Sequence, residues 1–214
     1  MKRIEDTFIQ NLERIVGLRN KRVLEIGCGT GTYTVQIASR CAVLVATDPN
    51  PDSLEIAKRS APANIDFVCS AAEDLKYPHG DFAVIIFTLS FHHVEPTMMR
   101  KAIDVALAHL HPMGILVFLE PGTVGSYFDA EIAFDACDGD ERNAKLYARA
   151  AMANHPRLKP VTEILDQTAF ELDSVDDFVA AMEPKKGTMD SYRMFLQENN
   201  YVLCAERRIS FFRR

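Results

Sequence analysis

The sequence predicts a doubly wound α/β fold: a mostly parallel, seven-stranded sheet with helices on both faces and a helical insertion after the fifth strand. Three observations predict it. Five short apolar runs recur through the first 120 residues, at 23–26, 42–47, 65–69, 82–87 and 115–119. They are continuous rather than alternating, the pattern of strands buried on both faces of a parallel sheet. Stretches of helical spacing separate them, and strand–helix alternation marks a sheet wound with helices.

The elements follow in order. Ile4, Phe8, Leu12, Ile15 and Val16 mark one apolar stripe, which Gly17 closes. The run at 23–26 (VLEI) is the first strand, and a helix starting near Thr30 carries Val35, Ile37 and Ala38. After the strand at 42–47, a helix opened by Pro51 carries Leu54, Ile56 and Ala57. Strands at 65–69 and 82–87 lead to a helix from about Thr97 to Leu110, with Met98, Ala102, Val105 and Ala106 facing inward. The fifth strand, 115–119, ends at Glu120-Pro121-Gly122, and the pattern then changes. Residues 125–154 read as helical but broken by Asp138-Gly139-Asp140; 161–172 reads as a strand, 174–183 and 189–198 as helices, and 201–212 as the last strand. The chain reads as one domain over 1–214, with 123–160 as a helical lid or insertion.

Composition narrows the function classes. The 214 residues are 48% apolar and 25% charged, enough to bury a core without disulfides or metal and unlike disordered or fibrous chains. No apolar run approaches the ~18 residues of a membrane span, and MKRIEDTFIQ lacks the apolar centre of a signal peptide. With 24 basic and 30 acidic residues, the charge of −6 disfavours binding to nucleic acid or an anionic membrane. Two arginine pairs, Arg207-Arg208 and Arg213-Arg214, stand near the C-terminus. Five cysteines, at 28, 41, 69, 137 and 204, form no CxxC and leave an odd count, so a reduced, cytoplasmic protein is expected.

The strongest motif is Val23-Leu24-Glu25-Ile26-Gly27-Cys28-Gly29-Thr30-Gly31, leading from strand to helix. Glycines there let a ligand touch the backbone, and free N–H groups at a helix start favour anionic groups. A dinucleotide loop reads GxGxxG, but the third glycine position is Thr32. The ExGxGxG pattern instead resembles motif I of the class I S-adenosylmethionine-dependent methyltransferases. The resemblance continues at Asp48, ending the second strand within Val45-Ala46-Thr47-Asp48-Pro49-Asn50. Cys69-Ser70-Ala71-Ala72-Glu73-Asp74-Leu75 is similar to the family's adenine-binding segment, although many relatives carry Asp where this chain has Ala71. The stretch from Asp81 to Val94, through Phe87-Thr88-Leu89-Ser90-Phe91-His92-His93, is similar to motif IV of the small-molecule members. Four parts in the right order make the set specific.

The resemblance implies a Rossmann-like fold, S-adenosyl-L-methionine as cofactor, and in-line methyl transfer to a small-molecule acceptor. It implies that Gly27, Cys28, Gly29 and Gly31 seat the methionine end, with Glu25 beneath to orient the ammonium group. Asp48, beside Pro49, holds the ribose; Ala72 and Glu73 line the adenine, with Asp74 as a second acidic candidate. Phe87 or Thr88, just past the fourth strand, borders the transferred methyl. His92 and His93 are candidates for acid–base work, since an unperturbed imidazole titrates near neutrality; the alternative is that one merely ties the loop down. Adjacent histidines without HxxxH spacing do not suggest a metal, and none is expected. The segment 123–160 reads equally as an acceptor cover and as extra core or a dimer contact, with Tyr127, Phe128 and Glu120 the residues of interest. His155, before Pro156, reads as a helix-end residue. Thr88-Leu89-Ser90-Phe91 departs from the [NDS]PPY signature of DNA amino-methyltransferases, which disfavours a nucleic-acid substrate. A non-catalytic cofactor-binding or partner protein of the same fold is the alternative; a nicotinamide-dependent reductase is opposed by the glycine spacing.

Overall fold

The computed structural model describes residues 1–214 except 60, 76 and 78–81. Asp81, at the head of the fourth motif, lies outside the described residues. The chain opens with strand β1 (Lys2–Asp6) and helix α1 (Phe8–Ile15). Then come β2 (Arg22–Ile26), α2 (Thr34–Ala38), β3 (Val43–Asp48), α3 (Pro51–Lys58), β4 (Ile65–Cys69), β5 (Phe82–Thr88), α4 (Met99–His109) and β6 (Leu110–Pro121). The long connection holds α5 (Ser126–Phe134) and α6 (Arg142–Ala153), followed by β7 (Lys159–Glu171), α7 (Val175–Met182), α8 (Met189–Glu198) and β8 (Val202–Arg213).

One sheet takes the order β1-β7-β8-β6-β5-β2-β3-β4. From β6 through β5, β2 and β3 to β4 every neighbouring pair is parallel. β8 is inserted antiparallel between β6 and β7, and β1 adds antiparallel to β7. The chain winds one way from β2 to β3 and the other way to β5, so a crevice opens outside the carboxyl ends of these strands. Continuous apolar runs follow from having both faces covered. Leu24, Val45, Ile85, Phe87 and Phe118 pack on one side, while Val23, Leu44, Val84, Ile86 and Val117 pack on the other. A third cluster joins Phe134 of α5 to Phe178, Met182, Tyr192, Leu196 and Leu203, fixing the long connection to α7, α8 and β8.

The sheet has eight strands where seven were expected. Helical spacing predicts Ile4 in the first helix, but it lies on β1, 48% exposed, because pairing from Lys2↔Glu171 to Asp6↔Thr168 engages that backbone. The second helix begins at Thr34 rather than near Thr30, since the glycine turn runs on to Gly31. In α4, Met99, Ile103 and Leu107 join Ala102 and Ala106 on the buried face; Met98 and Val105 sit at its margin.

β8 also carries a buried ionic knot. Arg207 is 2% exposed, donates to Asp6 Oδ1 at 2.8 Å and to the Tyr33 hydroxyl at 2.5 Å, and pairs with Asp166. The sequence pair Arg207-Arg208 is therefore no surface patch: its first member is core, and its second faces Glu163. Among the described residues, no helix is long and apolar enough to cross a membrane.

Candidate active site

The site begins where β2 ends. Gly27 has φ +73°, and a Cβ there would stand 2.2 Å from the Ser90 Cβ, so only glycine lets this turn pass the loop after β5. At Gly29 the position a Cβ would take is open, with nothing within 4 Å. The Gly29 N–H donates to Asp48 Oδ2 at 2.8 Å, and the Asn50 N–H donates to Asp48 Oδ1 at 2.9 Å. Gly27 and Cys28 both donate to the Thr47 carbonyl, at 2.8 and 2.9 Å. The tip of β3 thus holds the glycine turn in place.

Glu25 lies entirely buried beneath that turn. Its Oε1 accepts from the Thr88 hydroxyl at 2.9 Å, while Oε2 has no partner. Burial pushes the carboxyl up to about 7, with the Asp48 charge adding to it and the Thr34 and Thr88 hydroxyls offsetting part.

A cleft of about 810 Å³ opens at the carboxyl ends of the parallel strands. Gly27, Asp48, Pro49, Ala72, Glu73 and Phe87 are on its wall. A recess of about 310 Å³ shares Gly27, Asp48, Ser90 and His93 with it and adds Cys28, Gly29 and Thr88. Gly31 stands off both walls, against Ala57. Phe87 and Thr88 are the last residues of β5, not residues past it, and Phe87 stacks on Phe118 with centroids 4.8 Å apart. Asp74 pairs with Lys101 at 2.8 Å and is not on the cleft wall, whereas Glu73 is.

The two histidines have different surroundings. They sit in one 3-10 turn, Phe91–His93, held by Glu120 at the end of β6. The Phe91 and His92 N–H groups donate to Glu120 Oε1 and Oε2 at 3.0 and 3.1 Å, and His92 Nδ1 lies 2.7 Å from Oε2. Burial acts to lower the His92 pKa, but the carboxylates of Glu120 and Glu141 carry it above its ordinary value. The His93 side chain is 51% exposed and borders the cleft, the recess and a third pocket of about 200 Å³ lined by Tyr127 and Phe128. Partial burial and the neighbouring His92 push the His93 pKa below its ordinary value.

Glu141, at the head of α6, reaches within 3.6 Å of His92 Nε2 and 3.4 Å of His93 Nδ1. Lys145 Nζ lies 3.7 Å from Glu141 and 3.7 Å from Glu131. Burial pushes Glu131 up to about 7; Lys145 pulls it down, and Glu141 and Asp138 push it further up. His155 lies just past α6, facing Asp104 at 3.5 Å, on none of these walls.

Residues 23–114, from β2 through α4 into β6, match a family model described as a methyltransferase domain. Over that stretch the chain is similar to methyltransferase domains. An uncharacterized methyltransferase of Synechocystis is 30% identical over 117 residues, 54% of this chain and 55% of that protein. The demethylmenaquinone methyltransferase of Clavibacter sepedonicus is 30% identical over 112 residues, 51% of this chain and 44% of its own length. The chain spans about half the length of the curated relatives it matches. The N-methyltransferase NodS of Bradyrhizobium japonicum, solved with S-adenosyl-L-homocysteine, superposes at TM-score 0.58 and 18% identity, covering 97% of this chain and 84% of that one. That likeness is one of fold.

The methyltransferase domain match ends at Gly114, so the glycine turn, Asp48 and both histidines fall inside it. Glu120, Tyr127, Phe128, Glu131, Glu141 and Lys145 fall outside it. Sequence reasoning did not single out Glu131, Glu141, Lys145 or Ser90. The available signal was Glu131, an acid three and four residues beyond Phe128 and Tyr127, on a helix face that is otherwise apolar.

Proposed function

We propose that this protein transfers a methyl group from S-adenosylmethionine to a small-molecule acceptor by in-line displacement. The observation that carries this reading is the pairing, in one cleft at the switch point, of an open glycine turn with the Asp48 carboxylate. The residues fit the cofactor on two counts. Gly29 leaves empty space where any side chain would stand, and Glu25 keeps one buried carboxylate oxygen without a partner beneath the turn. Gly27, Cys28 and Gly29 seat the methionine end, with Gly31 packing the turn against Ala57 rather than touching the ligand, Asp48 and Pro49 hold the ribose, and Ala72 and Glu73 line the adenine. Phe87 and Thr88 border the methyl group. Glu25 braces the turn through Thr88 and supplies negative charge below an ammonium group.

When bound, the sulfonium supplies a methyl group that is already activated. The chain aligns the acceptor, excludes water and removes a proton where the acceptor carries one. His93 is the group for that proton, because its ring borders all three cavities and burial with the neighbouring His92 holds its pKa below the ordinary value. His92, fixed through Nδ1 by Glu120, positions the turn. The segment 123–160 covers the acceptor as part of one domain over 1–214, acting in the cytoplasm on small molecules rather than nucleic acid. Calorimetry with S-adenosylhomocysteine is the direct test, and saturable binding is expected. Gly29→Val, which fills the open space with a branched side chain, is expected to lose that binding while staying folded. No heat from the folded native chain with either form of the cofactor overturns the reading.

A further inference from the structure

The pocket beside the cleft holds a charge imbalance that its own residues do not settle. Its acidic wall is Glu131 of α5, Glu141 at the head of α6 and Asp138 between them, while Glu206 of β8, also on the lining, faces Arg208 at 3.6 Å. One ammonium faces Glu131 and Glu141, that of Lys145, 3.7 Å from each. Those separations, and the 3.4 and 3.6 Å from Glu141 to the two imidazoles, exceed hydrogen-bond reach. The other cations nearby are already engaged. Arg3 donates to Asp6 and Tyr33, Arg207 to Asp6, Tyr33 and Asp166, and Glu120 is taken by the His92 turn. Glu131 and Glu141 therefore share one ammonium, with Asp138 on the same partly desolvated wall, and the rise of Glu131 to about 7 reflects the same burial and crowding. Tyr127, Phe128 and Phe170 supply aromatic surface, and Lys145 already lies 4.7 Å over the Phe128 ring. Surplus negative charge beside aromatic faces is complementary to an organic cation.

We infer that the acceptor is an amine, bound as its ammonium ion by Glu131 and Glu141 among these aromatic rings, with His93 receiving its proton. The inference rests on the proposed reading of the adjoining cleft. In the step, one N–H bond of the ammonium breaks and its proton passes to the His93 ring. The freed nitrogen pair forms the N–CH3 bond as the S–CH3 bond breaks, and that bond's electrons stay on sulfur. The products are the N-methyl amine and S-adenosylhomocysteine, and Glu141, 3.4 Å from His93 Nδ1, stabilises the imidazolium. A divalent cation is the rival guest, because ligand atoms of His92, His93 and Glu141 lie within 4.8 Å of one another.

The test titrates phenethylammonium, butylammonium, 3-phenylpropionate, 2-phenylethanol and zinc chloride into the full chain saturated with S-adenosylhomocysteine. Binding of at least one ammonium ion is expected, with the carboxylate and the alcohol weaker. Glu131→Gln and Glu141→Gln are each expected to weaken the ammonium by about tenfold or more, the loss of a bond to a charged group, without changing S-adenosylhomocysteine affinity. In turnover, Glu131→Gln should raise KM for the amine more than it lowers kcat. The inference is overturned if no ammonium ion binds, if the carboxylate or alcohol binds better, if neither variant weakens the ammonium, or if zinc binds through Glu141 and the amines do not. Should S-adenosylhomocysteine itself fail to bind, the cleft reading falls instead, and the same ammonium preference is then sought in the unliganded chain.

Discussion

Asp48 has two backbone partners before any ligand arrives. Each carboxylate oxygen accepts one N–H, from Gly29 and from Asn50, and each retains a lone pair toward the cleft. Asp48→Ala is expected to weaken S-adenosylhomocysteine by about 1.5–3 kcal/mol, read by calorimetry, the scale of lost bonds to a charged group. It should also speed hydrogen exchange at the Gly29 amide, which a residue serving the ribose alone would not do. Glu25 carries a pH signature. Its folded pKa of about 7 stands above its ordinary 4.5, so the folded state holds the extra proton between those values. Stability therefore falls as pH rises from about 4.5 to 7. Glu25→Gln is expected to remove that slope and to gain on the order of 2 kcal/mol at pH 8 in urea melts. A variant with the native slope would show that the burial of Glu25 is not its source. Both residues were legible in the sequence because each is fixed by position at a strand end. The orphaned Oε2 was not, since it depends on what the fold places around it.

At the scale of elements, the turn at Phe91–His93 is tied to β6 by the Glu120 carboxylate, beside the edge-on contact of Phe91 with Phe118. Glu120→Ala removes the acceptor for two backbone N–H groups and the partner of the His92 ring, with an expected loss of about 3 kcal/mol in denaturant melts. His92 sets the sign of the pH effect. Its folded pKa lies above 6.5, so the stabilisation is complete below 6.5 and fades as pH rises through the folded value. Glu120→Gln should flatten that dependence, and an unaltered profile would place its origin elsewhere. The parallel half of the sheet was readable because buried strands are continuous apolar runs and the motifs are local. The acidic wall of α5 and α6 was not. Glu131 and Glu141 have the look of solvated helix acids until the fold carries them against the two histidines.

At the scale of the whole molecule, a buried cation on β8 ties β7 and β1 to the sheet. Arg207 neutralises Asp6 of β1 and Asp166 of β7, and Thr7 also pairs with Asp166. Arg207→Met leaves Asp166 without its cation and Asp6 with Arg3 alone, and is expected to cost about 3–5 kcal/mol in urea unfolding. Adding Asp166→Leu should recover part of that loss; a double variant weaker than the single by the full second cost would mean the two do not interact. This knot explains why β1 escaped the sequence reading. Its register is set by partners near the far end of the chain, while its own residues continue a helical apolar spacing. The same division of the chain has a bearing on ancestry. On the proposed reading, the stretch matched by the methyltransferase model supplies the cradle for the common reagent, whereas the acidic wall lies on a separate span downstream. On the proposed reading, selection or an engineer can exchange that later cassette, and with it the choice of partner molecule, while inheriting the donor half unaltered.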